Sequence, residues 1–109
     1  MKQEELIIVL VTAPSRDAAE VLADALVGSK QAACVNIVPG ITSIYNWKGQ
    51  RESSEELLLV IKTRSELFSE VETTVRATHP YEVPEIIAFP ASRVAESYLQ
   101  WVAAETRGS

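Results

Sequence analysis

The sequence predicts an α+β fold, one antiparallel sheet with helices packed on one face. Three observations carry this. Stretches of strand and helix character alternate as β-α-β-β-α-β-α along 109 residues. The two middle strands are joined by Lys48-Gly49-Gln50, a short turn in which glycine supplies any positive φ. No linker, repeat or low-complexity stretch divides the chain, so residues 1–109 read as one domain. Two βα units around a hairpin form a ferredoxin-like βαββαβ sandwich, here with an extra C-terminal helix.

Leu6 to Val11 is short, β-branched and bounded by Thr-Ala-Pro-Ser, which marks a strand. Ser15 can cap the following helix, and Asp17 stands in its first turn, where the helix dipole favours an acid. Ala18, Val21, Leu22, Ala25 and Leu26 then share one helical face, and Gly28 ends the helix. Ala32 to Val38 is a second apolar run, broken or bent at Pro39-Gly40 and continued by Ile41 to Trp47. Arg51 to Lys62 returns from the turn, polar first and then apolar from Leu57 to Ile61. Thr63 and Glu66 have capping-box spacing, with Ser65 as the alternative cap, so a helix is expected from Ser65 to about Thr78. Leu67, Phe68, Val71 and Val75 form its apolar face. Glu85 to Phe89 reads as the last strand, closed by Pro90. Ser92 caps a final helix with Val94, Tyr98, Trp101 and Val102 facing inward.

The strands also imply an assembly. A sheet covered on one face alternates apolar and polar residues, yet Leu6 to Val11 and Leu57 to Ile61 are apolar throughout. One short C-terminal helix is a poor cover for a whole sheet. Another subunit is the better cover, because an apolar patch of that size aggregates when left bare.

Composition excludes several classes. The net charge is −5, and the ten basic residues are scattered from Lys2 to Arg107 without a cluster. Nucleic acid is therefore not expected as a partner, since phosphate binding needs a concentrated positive face. No apolar run approaches the ~20 residues of a membrane span, and the N-terminus lacks the basic start of a signal peptide. Cys34 is the only cysteine, so no internal disulfide forms, which suits a reducing cytoplasm. Cys34 lies in an apolar run and reads as core. Gly108 and Ser109 read as a cloning remnant. There is no nucleophile elbow, and the four glycines are isolated rather than gathered in a phosphate loop, so the chain reads as a non-enzyme.

The chemistry gathers in HPYEVPEI, residues 79–86. His79 is the only histidine, and imidazole is a good ligand for copper or zinc. It also sits where a helix C-terminus would welcome partial positive charge. Glu82 and Glu85 stand close by in sequence. Pro80 and Pro84 stiffen the stretch and push residues 79 and 83 extended, placing Tyr81 and Glu85 at a defined rim. Tyr45, Trp47 and Lys62 of the long ribbon can reach that rim in an assembly. Two readings stay open: a metal site of His79, Glu82 and Glu85, or a small-molecule pocket at a subunit interface with Trp47, Lys62 and Tyr81.

ACVNIVPGITSIYNWKG (33–49) and HPYEVPEI (79–86), with VTAP after the first strand and YLQW (98–101) in the last helix, resemble the CutA family of divalent-cation tolerance proteins. The resemblance covers essentially the whole chain. It implies a homotrimer of ferredoxin-like subunits built like the PII signalling proteins, cytoplasmic in bacteria, with divalent cations, copper foremost, as ligands. Relatives with a proposed copper site carry a cysteine just before TAP and a second histidine just before HPY. Those positions are Val11 and Thr78 in this chain. A site lacking both is expected to bind copper more weakly and to be harder in character.

Overall fold

The computed structural model describes residues 1–107, and Gly108-Ser109 falls outside them. Strands β1 (Leu6–Ala13), β2 (Cys34–Trp47), β3 (Gln50–Arg64) and β4 (Ile87–Pro90) form one sheet in the order β2-β3-β1-β4. Every pairing is antiparallel. Helices α1 (Arg16–Gly28), α2 (Phe68–Thr78) and α3 (Glu96–Glu105) complete the expected order. This is the ferredoxin-like sandwich with its added helix.

Side-chain alternation sorts the sheet into two faces. Val9 pairs with Ile61 and Val11 with Leu59, and these residues point toward α1 and α2. There they meet Ala19, Leu22 and Leu26 of α1 and Val71 and Val75 of α2. All nine are buried to within 1% exposure, so truncating any large one costs about 2–5 kcal/mol. The second face carries Ile8, Leu10, Leu58 and Val60, with Ile87 and Phe89 beside them on β4. α3 covers only one end of it, where Leu99 and Val102 pack on Leu6 and Ala33. The rest stays bare in the single chain, with Ile87 54% and Phe89 43% exposed.

Local chemistry sets the ends. Ser15 Oγ accepts the Ala18 N–H at 3.1 Å, the expected cap of α1. Lys48 (φ 50°) and Gly49 (φ 81°) are both left-handed, the signature of the primed turn that suits a twisted hairpin. Pro39-Gly40 does not end β2. It makes a bulge between Val38 and Ile41, with Gly40 at φ 78°.

Several boundaries differ from expectation. The Thr63/Glu66 capping box is not made: Thr63 Oγ1 donates to the Gln31 carbonyl, and Ser65–Leu67 forms a 3-10 turn before α2. β4 begins at Ile87, because only Ile87–Pro90 find partners on β1, so Glu85 precedes the strand. α3 begins at Glu96 rather than after Ser92, since Ala91 still bonds back to Leu6. Trp101 lies outward and Tyr98 stands partly exposed against Cys34, while Val102 faces in as expected, joined by Leu99. Val21 of α1 is likewise 58% exposed. Cys34 is half-buried rather than core, at the edge of the second face.

Candidate functional site

The 79–86 segment is held by its histidine. The His79 N–H closes α2 on the Val75 carbonyl at 2.8 Å, and its backbone then turns extended (φ −75°, ψ 137°), as a residue before proline must. The imidazole Nε2 lies 2.6 Å from the Thr12 carbonyl oxygen, and the Tyr81 N–H reaches Nδ1 at 3.1 Å. A carbonyl only accepts and an amide only donates, so Nε2 carries the hydrogen and Nδ1 supplies the lone pair. The Tyr81 ring packs on the imidazole at 4.7 Å between centroids. His79 thus bolts the connector to the end of β1.

Tyr81, so placed, donates its hydroxyl to Glu56 Oε2 at 2.7 Å. Burial raises the Tyr81 pKa first, and the adjoining Glu56 carboxylate raises it further, so the phenol keeps its proton and remains a donor. Glu56 is only 6% exposed. Its pairing with Ile41 puts it on the second sheet face, beyond Leu58. Among the described residues no sealed side-chain oxygen lacks a partner. Glu56 Oε1, which makes no hydrogen bond among the described residues, is therefore not sealed from the surface.

Glu56 lines a cleft of about 660 Å³ between the outer half of the β2–β3 ribbon, toward its turn, and the connector. Glu56, Glu82 and Glu85 line it beside Tyr45, Trp47 and Tyr81, with Ile44, Pro80 and Val83 between them. No lysine or arginine lines it. None of the ion pairs among the described residues involves the three glutamates. The Glu85 carboxyl is pushed above its usual pKa by desolvation and then by the Glu56 charge.

The structure therefore brings Trp47, Tyr81, Glu82 and Glu85 together, with His79 behind them as a support. Lys62 is not among them within one chain. It lies six residues along β3 from Glu56, about 20 Å at ~3.3 Å per residue, with its Nζ 3.9 Å from Cys34 Sγ. Sequence reasoning missed Glu56. Its signal is a glutamate at the point where β3 turns from polar to apolar, in phase with Leu58 and Val60.

The donor set can be tested against a metal. A Cys/His copper centre does not fit. Both His79 nitrogens are committed, Cys34 stands beside Lys62, and Val11 and Thr78 offer no soft ligand. Among the described residues, no three His, Cys, Asp or Glu side chains of one chain converge on a metal position. What the cleft offers is carboxylate oxygen, which suits hard cations.

Comparison with known proteins agrees with this architecture. The family model of the CutA1 divalent ion tolerance protein matches residues 7–105. The divalent-cation tolerance protein CutA of Thermus thermophilus is 48% identical over 99 residues, 91% of this chain and 96% of its own length. The chloroplastic protein CutA of Arabidopsis thaliana is 48% identical over 101 residues, 93% of this chain, which spans only 56% of that relative's length. The crystal structure of CutA1 from Oryza sativa matches with a TM-score of 0.92 at 45% identity, covering 95% of both chains. With 99 contiguous residues matched by the family model and the same fold in a solved relative, this chain belongs to the CutA1 divalent ion tolerance protein family.

Proposed function

We propose that the protein acts as a homotrimer that binds divalent cations in copper and divalent-metal tolerance, drawing the cation to the cleft through Glu56, Glu82 and Glu85. The observation that carries this reading is charge: three glutamates line the cleft, no basic residue does, and the buried Glu56 has no cationic partner among the described residues. The bare second sheet face supports the assembly, and a second copy would add the donors that one chain lacks. His79 then serves by positioning Tyr81 and Glu56, not as a ligand. Copper(II) is bound weakly, because the donors are oxygens. A competing reading, a small-molecule pocket at a subunit interface with Trp47, Lys62 and Tyr81, needs Lys62 from a neighbouring copy, since within one chain Lys62 stands at the far end of β3. We take the compartment to be the cytoplasm, which suits a chain whose one cysteine is free.

Calorimetric titration of the purified assembly with Mn²⁺ and Cu²⁺ tests this. Wild type should bind Mn²⁺, and Glu85→Gln should weaken it severalfold. His79→Gln should change it little. Equal Mn²⁺ binding by wild type and Glu85→Gln removes the carboxylates from the site. Loss of binding in His79→Gln alone returns the imidazole to it.

A further inference from the structure

We infer that the same cleft binds an organic cation, an ammonium group carried on an aromatic or aliphatic body. The inference rests on the cation preference put forward above, but not on metal coordination. Size is the first argument. A cleft of about 660 Å³ matches organic ligands, whose pockets run about 300–1,000 Å³.

The walls are the second argument. Trp47, Tyr45 and Tyr81 face the cleft, and aromatic faces attract cations through their quadrupole. Trp47 already receives one ammonium: Lys48 Nζ lies 5.5 Å from its ring centroid. The third argument is the buried carboxylate. Glu56 is 94% buried, lines the cleft, is fixed by the Tyr81 hydroxyl, and has no ion-pair partner among the described residues. A carboxylate left in that state favours any ligand that brings a positive charge and N–H donors. The Glu85 carboxyl, raised by desolvation and then by the Glu56 charge, is compatible with this, because a bound cation relieves the second of these. The ammonium therefore sits between Glu56 and Glu85, and the apolar body lies against Trp47 and Tyr81.

The test uses the intact assembly, with Trp101→Phe as background so that fluorescence reports Trp47 alone. Phenethylammonium is the probe. Phenylacetate, of similar body and opposite charge, is the control, and Mn²⁺ is titrated in parallel. Phenethylammonium should quench Trp47 saturably, and Glu56→Gln should weaken it tenfold or more. Phenylacetate should not bind. Because Glu56→Gln could perturb folding, Glu85→Gln is measured too and should weaken the probe at least threefold. Binding of phenethylammonium without Mn²⁺ upholds this inference and removes the metal reading. Binding of Mn²⁺ without phenethylammonium overturns the inference alone. Failure of both, or equal binding of phenylacetate, overturns the cation-selective cleft altogether.

Discussion

Replacing His79 with alanine separates a structural bolt from a metal ligand. The change deletes two hydrogen bonds at once, from Nε2 to the Thr12 carbonyl and from the Tyr81 N–H to Nδ1. Each orphaned buried group costs about 1–3 kcal/mol. Thr12 is only 9% exposed and carries the full penalty, whereas water can reach the half-buried Tyr81 amide. The expected loss is therefore about 2–3 kcal/mol, a large share of the ~5–15 kcal/mol typical of a domain. Urea unfolding at one fixed protomer concentration reads it, because assembly would otherwise shift the midpoint. His79→Gln keeps an amide donor of similar reach and should recover part of the loss. Nitrogen NMR of the ring gives an independent reading, with the hydrogen on Nε2. A His79→Ala protein of unchanged stability, or a ring protonated at Nδ1 alone, would refute the bolt.

Four further outcomes follow from the same geometry. Tyr81→Phe leaves the buried Glu56 carboxylate without its donor and should cost about 1.5–3 kcal/mol in urea unfolding, as expected for a hydrogen bond to a charged group. Because the folded Glu85 pKa lies above its unfolded value, stability from this group is present below the usual carboxylate value of 4.5 and is lost as pH rises through the folded value. Glu85→Gln should therefore melt higher than wild type at neutral pH and show a flatter pH profile. Gly49→Ala forces a side chain into φ 81° and should cost about 1–2 kcal/mol by thermal melting. Val60→Asp puts a charge in the middle of the bare second face, and sedimentation should then show smaller species than wild type.

The fold was legible because its signals are local. Continuous apolar strands, a Ser15 cap and a Lys48-Gly49 turn each announce themselves within a few residues. Where the reading failed, a distant partner decided. β4 starts at Ile87, not Glu85, because its length is set by what β1 can pair with. Helical spacing put Val102 inward, as observed, but could not tell that Leu99 rather than Trp101 shares its face. The choice fell to Leu6 and Ala33, which offer the last helix an apolar seat.

The candidate site was half legible for the same reason. HPYEVPEI identified the connector, and four of the six site residues named from sequence line one cleft: Trp47, Tyr81, Glu82 and Glu85. Residue type could not say that both nitrogens of His79 are spent. Its partner Thr12 lies 67 positions away in sequence. Nor could it bring Glu56 to Tyr81 across 25 positions. A histidine is a ligand only if a lone pair is left after its own fold has been served, and here Nδ1 serves the Tyr81 amide. The prolines on either side explain why that service is needed. Pro80 and Pro84 donate no backbone hydrogen bonds. The stretch between them can be anchored only by side chains and by the remaining amides. His79 and Tyr81 are those anchors, and the carboxylate they lock in place is a buried charge in the cleft with no cationic partner among the described residues.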